Sequence, residues 1–302
     1  MKIISKLLIV SVLIVSNSIL AQIQNYATNK DASKTYYKIY RKGKPLLIIN
    51  GGPGMDSNSF ETIAKQLSKN NKVILYDQRG TGKSILKKMD STTVTMKLMV
   101  EDIESLRQHL KIKNWIVFGH SFGGMLASYY TSLHQNRVNK LILSSSGGID
   151  LTLVKGENLI NNNLSKTEAD TLKYWTEKIE KGDTTNIARI KRARSLAPAY
   201  VYNQKFIPLV AERLSQLNIQ INRLVWNDLI KTKFDCKQKL TTFKNPVLVI
   251  QGEQDIVNKQ MGELANETFS NSKLIFLEKS RHYPWLDVPE KYYKEIELFL
   301  KK

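Results

Sequence analysis

Gly119-His120-Ser121-Phe122-Gly123 follows the apolar run Trp115-Ile116-Val117-Phe118 and precedes a helix-compatible run from Met125 to Leu133. The pattern is strand, tight turn, helix, with a serine at the bend, which is the context of a nucleophile elbow. The glycines have a steric job there, because such a turn strains the serine backbone and brings strand and helix too close for side chains on either side. Whether the serine does chemistry depends on what the rest of the chain supplies.

Reading outward, other strand-like runs also end in glycine-rich turns. Leu46 to Ile49 is short and continuously apolar, as in a strand covered on both faces, and leads into Asn50-Gly51-Gly52-Pro53-Gly54. Val73 to Tyr76 leads into Asp77-Gln78-Arg79-Gly80-Thr81-Gly82-Lys83-Ser84. The ending Gly82-Lys83-Ser84 suggests a phosphate loop, but that motif needs a glycine where Asp77 stands, so a nucleotide site is excluded. Ser59 to Leu67 is helical in pattern, and Tyr36 to Tyr40 is an early strand. Met96, Met99, Val100, Ile103, Leu106 and Leu110 recur at helical spacing, predicting an amphipathic helix with Glu101, Asp102 and Arg107 outside. Its methionines are core filling. Val138 to Leu143 is the next strand, ending in Ser144-Ser145-Ser146-Gly147-Gly148.

This alternation predicts an α/β fold with a mainly parallel sheet flanked by helices. From residue 149 to about 244 it stops, and the stretch reads as a helical insertion. Its helices are expected at Thr171 to Lys181, Ile187 to Leu196 and Leu209 to Ile230, with breaks at Pro198 and Pro208. Pro246 to Ile250 resumes the strand pattern, followed by a helix from Lys259 to Phe269, a strand from Leu274 to Leu277 and a closing helix from Glu290 to Leu300. The chain therefore divides into a core, residues 22–148 and 245–302, and a helical cap, 149–244, inserted before the strand that carries an acid.

That acid belongs to an ordered set. Functional groups of an open parallel sheet collect at the carboxyl ends of strands. Ser121 follows one strand, Asp255 follows Ile250-Gln251-Gly252, and His282 follows the last. Serine, acid, histidine is the order expected for an elbow serine. An imidazole can take the proton of a serine hydroxyl, and a carboxylate holds the imidazole's tautomer and stabilises its charged form. Of the four histidines, His109 lies on an amphipathic helix, His134 at a helix end, and His120 inside the elbow pointing away from the serine, which leaves His282. Glu253 and Asp287 are the rivals of Asp255. Backbone N–H groups of Gly52 and Phe122 are the candidate oxyanion donors.

Bulk properties narrow the class. The 302 residues carry a formal charge of +19, with 42% hydrophobic and 9% aromatic residues, an ordinary globular composition. The lysines are spread along the chain without a nucleic-acid module, so the surface is read as solvated and no nucleic-acid partner is expected. Lys2, Lys6, the apolar stretch Leu7 to Val15 and the small or polar residues Ser16 to Ala21 read as a signal peptide, residues 1–21. It is expected to be cut after Ala21, or alternatively Ser18, giving an exported periplasmic or secreted protein without stable membrane association; the alternative is an uncleaved membrane anchor, for which Asn17, Gln22, Gln24 and Asn25 make a poor spanning helix. Cys236 is the single cysteine, excluding an intrachain disulfide. It reads as a structural or surface thiol, not a nucleophile. No cofactor fingerprint or metal cluster is present in the sequence.

Gly51-Gly52-Pro53-Gly54, Asp77 to Ser84 and the elbow together resemble the α/β-hydrolases, and within them the proline iminopeptidase branch. The resemblance covers nearly everything after the signal segment. It implies an α/β-hydrolase fold and a serine hydrolase that releases an amino-terminal residue, often proline, from a small peptide beneath a helical cap. The departures are Asn50, where that family usually has histidine, and His120 and Phe122 in place of a glycine and tryptophan frequent in its elbow. No motif matches the family's amine-binding cap glutamates; Glu177, Glu180, Glu212 and Asp228 are the candidates, since an unpaired buried ammonium is costly. The alternatives are a broader carboxyl-ester or amide hydrolase and, from another class, a non-catalytic module docking anionic polymers.

Overall fold

The computed structural model describes residues 23–152 and 159–301, so the expected signal peptide, 1–21, lies outside the described residues. Eight strands form one sheet: β1 (Ile23–Thr28), β2 (Lys34–Tyr40), β3 (Lys44–Ile49), β4 (Asn71–Tyr76), β5 (Trp115–His120), β6 (Val138–Ser144), β7 (Val247–Gly252) and β8 (Ser272–Leu277). Their spatial order is β1-β2-β4-β3-β5-β6-β7-β8. The pairs involving β2 are antiparallel, and every pair from β4 to β8 is parallel.

Strand periodicity explains why the central runs are continuously apolar: successive side chains enter opposite cores. Leu46 and Ile48, Val73 and Leu75, and Ile116 and Phe118 pack on one face with α1 (Glu61–Leu67) and α12 (Pro289–Lys301). Leu47 and Ile49, Ile74 and Tyr76, and Trp115 and Val117 pack on the other with α2 (Met96–His109) and α3 (Phe122–Leu133). Between β6 and β7 run α4 (Leu159–Asn162), α5 (Lys166–Glu180), α6 (Asn186–Tyr200), α7 (Ile207–Ser215), α8 (Ile219–Lys231) and α9 (Lys237–Leu240); α10 (Lys259–Thr268) and α11 (Pro284–Asp287) follow later. No described helix is long and apolar enough to cross a membrane.

Four local expectations change. The polar run Ile23–Thr28, read as no element, is an antiparallel edge strand held by β2. Asp102 and Arg107, expected outside α2, are buried. Arg79, from the loop after β4, forks the Asp102 carboxylate at 2.8 and 2.6 Å, and Arg107 forks Glu104 at 2.8 Å twice. A helical pattern does not reveal a loop that folds over the polar face. Pro198 does not end α6, which continues to Tyr200; so near a helix end the missing N–H costs a single bond. Leu209 to Ile230 is two helices, because Asn218 accepts from the Ile221 N–H at 3.1 Å and starts α8 afresh.

Candidate active site

β5 ends at His120, and the chain turns through Ser121 at φ +55°, ψ −124°, before α3 begins at Phe122. A non-glycine residue holds such a conformation only when its surroundings fix it. Here the Ser121 N–H donates to the Ser144 carbonyl at 3.1 Å, and the Ser121 carbonyl accepts from Gly124 and Gly147 at 2.9 and 3.0 Å. Gly123 is required by contact: a Cβ there would stand 2.2 Å from the Ile49 carbonyl oxygen. Ser121 lines a chamber of about 370 Å³ between the strand ends and the helices that follow β6.

At the ends of β7 and β8 the structure brings Asp255 and His282 together. His282 Nδ1–H donates to Asp255 Oδ1 at 2.7 Å, and both residues are buried. This bond leaves the Nε2 lone pair of His282 available. The Ser121 hydroxyl makes no hydrogen bond among the described residues; a serine–imidazole bond of this kind commonly tightens only once substrate is bound. The rival acids are engaged elsewhere. Glu253 pairs with Lys259 at 3.0 Å. Asp287 accepts the backbone N–H groups of Tyr202, Asn203 and Arg281, each at 2.9 Å.

His120 braces the histidine loop. Its Nε2–H donates to the His282 carbonyl at 2.9 Å, and its ring stacks on Tyr283 at 5.5 Å. Burial, and then the proximity of His282, holds its pKa well below the usual histidine value, so it is a neutral donor. His109 meets the Tyr37 hydroxyl and His134 the Tyr130 ring, both away from Asp255.

The Gly51-Gly52-Pro53-Gly54 turn is held from three sides. Asn50 Nδ2 donates to the carbonyls of Gly51, Met55 and Asp56 at 3.1 to 3.2 Å, a framework role for the residue that departs from the family pattern. Gln78 Nε2 donates to the Asn50 carbonyl at 2.8 Å, while Asp77 accepts from Ser57 N, Ser57 Oγ and Lys83 N. The glycine-rich stretch from Asp77 to Ser84 is thus a bracket for the turn. From α7, Arg213 Nη2 donates to the Gly51 carbonyl at 3.0 Å and Nε to the Tyr283 hydroxyl at 3.0 Å, with the guanidinium 4.8 Å above the Phe60 ring. Gly54, at φ +94°, lies where a Cβ would meet the Asn218 carbonyl at 2.5 Å, and its own carbonyl accepts from the Asn218 N–H at 2.9 Å. Gly52 and Phe122 both line the chamber.

The remaining lining comes from the inserted helices and the loop after β7. Leu196, Leu214, Leu217, Trp226, Ile256 and Val257 supply apolar surface, with Asn222 and Asn258 as amides and Arg192 as the one charged side chain among the described residues. None of the four candidate cap carboxylates lines it. Glu177, Glu180 and Glu212 are exposed, and Asp228 caps α2 by accepting the Met96 N–H at 2.8 Å. Arg192, Arg213, Asn222 and Trp226 were not singled out from the sequence because no motif surrounds them. Cys236 is buried, and desolvation pushes its thiol up to about 12. No group of three or more histidine, cysteine or acidic side chains could hold a metal among the described residues.

Comparison with known proteins agrees with this architecture. A family model described as alpha/beta hydrolase fold matches residues 44–289. Among curated relatives, a protein named proline iminopeptidase from Heyndrickxia coagulans is 29% identical over 269 residues, covering 85% of this chain and 91% of that protein. One of the same name from Clostridioides difficile is 25% identical over 280 residues, covering 88% and 94%. Among solved structures, an esterase from Exiguobacterium antarcticum superposes with a TM-score of 0.73 at 21% identity, covering 92% of this chain and 99% of that one. An alpha/beta fold family hydrolase from Bacillus anthracis gives 0.75 at 20% identity, covering 90% and 97%.

Proposed function

The chain belongs to the α/β-hydrolase family, and from that premise we propose that it is a serine hydrolase in which Ser121, His282 and Asp255 act as a triad. The observation that carries the reading is the buried 2.7 Å bond between His282 and Asp255, beside a chamber lined by a serine at φ +55°. In this reading Ser121 Oγ attacks the substrate carbonyl carbon as His282 Nε2 takes its proton. The Gly52 and Phe122 N–H groups receive the oxyanion, and the imidazolium returns the proton to the leaving alcohol or amine. Water then hydrolyses the acyl-enzyme by the same route in reverse.

For the substrate, we propose hydrolysis of a small carboxylic ester or amide without need of a free amino terminus. An exopeptidase must hold an ammonium group with an anion, and the described chamber lining contains no carboxylate. An aminopeptidase of the proline iminopeptidase type is the second reading, supported by full-length relatives of that name. Export, on the strength of the leader-like residues 1–21, completes the proposal and is checked by amino-terminal sequencing of the mature protein.

Two measurements test it. A serine-directed phosphonate should label Ser121, and Ser121→Ala should lower kcat by about a millionfold. Short-chain esters and amino-acid arylamides with free or blocked amino termini then separate the two readings. Absence of labelling refutes the hydrolase, and turnover restricted to free-amine arylamides restores the aminopeptidase.

A further inference from the structure

The guanidinium of Arg192 gives the chamber an electrostatic sign. It stands half-buried on α6, and its Nε donates to Thr176 Oγ1 of α5 at 3.2 Å. No carboxylate pairs with it among the described residues. A guanidinium has five N–H donors in a planar fork; the bond to Thr176 uses one and steadies the plane, and the others remain for a visitor.

The surroundings sharpen the preference. The chamber walls mix apolar and polar surface, and the other hydrogen-bonding side chains of its described lining, Ser121, Tyr200, Asn222, Trp226 and Asn258, are all uncharged. An ammonium group entering this space meets a like charge and no described anion to replace its water. A carboxylate meets a fork whose geometry matches its two oxygens. The formal charge of +19 acts in the same direction at long range, raising the encounter rate of anions.

We infer that the substrate carries an anionic group, of the class of half-esters or half-amides of dicarboxylic acids, whose free carboxylate docks on Arg192 while the scissile carbonyl lies at Ser121. The inference rests on the serine-hydrolase reading and names the substrate class of that site. It assigns Arg192 a specificity role and gives the basic character of the chain a use.

The test compares p-nitrophenyl esters of similar acyl length: glutarate half-ester, valerate, and 4-trimethylammoniobutyrate. In the wild type the glutarate should exceed the valerate in kcat/KM by about tenfold or more, the strength of a charge-assisted hydrogen bond, with the cationic ester below both. Arg192→Gln should bring the glutarate-to-valerate ratio close to one, and Arg192→Glu should shift preference to the cationic ester. A wild-type preference for the cationic ester, or a ratio unmoved by both variants, overturns the inference. Calorimetric titration of glutarate into Ser121→Ala protein, with and without Arg192→Gln, reads the same site without turnover. Glutarate binding that depends on Arg192, together with no phosphonate label on Ser121 of the wild-type protein, would sink the hydrolase reading and keep the anion site. Labelling without such binding does the opposite.

Discussion

Arg213→Met isolates one strut of the turn proposed to receive the oxyanion. Arg213 is buried and donates to the Gly51 carbonyl at 3.0 Å. In a trans peptide the N–H of the next residue points to the opposite edge of the same plane, so fixing the Gly51 carbonyl also aims the Gly52 N–H. Complete loss of an oxyanion donor costs about 2.7 to 4 kcal/mol, a factor of about 10² to 10³ in kcat. Asn50 Nδ2 keeps its bond to the same carbonyl at 3.1 Å, so the peptide loosens without being released. The expected loss in kcat is therefore about 10- to 100-fold, with KM changed about twofold or less, because the donor acts on charge that develops in the transition state. Stability should fall by about 1 to 3 kcal/mol, because the buried Tyr283 hydroxyl loses its partner. Steady-state kinetics on a p-nitrophenyl ester and a urea unfolding curve measure the two effects separately. A folded Arg213→Met protein with kcat within twofold of wild type would refute the reasoning, as would a loss confined to KM.

Two further outcomes follow from buried groups far from the chamber. Asp102→Ala strands the Arg79 cation, although Asp31 at 3.2 Å and the Thr93 carbonyl at 2.7 Å stay with it; the cost should be about 3 kcal/mol, the low end for a broken buried pair, read as a lower urea midpoint at unchanged slope, and a loss below about 1 kcal/mol would show that the pair is not structurally important. Cys236, with its thiol pushed up to about 12, holds only about one part in ten thousand as thiolate at pH 8. Ellman's reagent should therefore react with it only on unfolding, whereas stoichiometric labelling of the native protein within seconds contradicts the burial.

The order of the proposed triad could be read along the chain because parallel strands tend to show as unbroken apolar runs, and glycine turns mark the carboxyl ends of β3, β5 and β7. Ser121, Asp255 and His282 each follow such a run. Ile23–Thr28 carries no such signal, since an edge strand can be polar. Asp102 and Arg107 misled because periodicity describes a helix against one surface, and the loop bearing Arg79 and the segment after α2 supply a second. The chamber was illegible for a related reason. Arg192 and Arg213 sit on helices whose inward faces are set by helix-on-helix packing, and neither spacing nor neighbouring motifs distinguish these arginines from the solvated lysines around them.

The seam where Gly54 lies against Asn218, reinforced by Asn222 Nδ2 on the Pro53 carbonyl at 3.2 Å, has a consequence for how such a chain can be re-engineered. Helical insertions invite transplantation between scaffolds as exchangeable parts. Here the graftable unit is larger than the insertion: a donor segment replacing residues 149–244 must bring its own complement for residues 50–56, or the recipient turn is left with unmatched carbonyls and a glycine that no longer faces anything. Chimeras cut at the strand ends alone should fold around an intact sheet yet lose the alignment of the turn, whereas those exchanging both segments together inherit a matched pair.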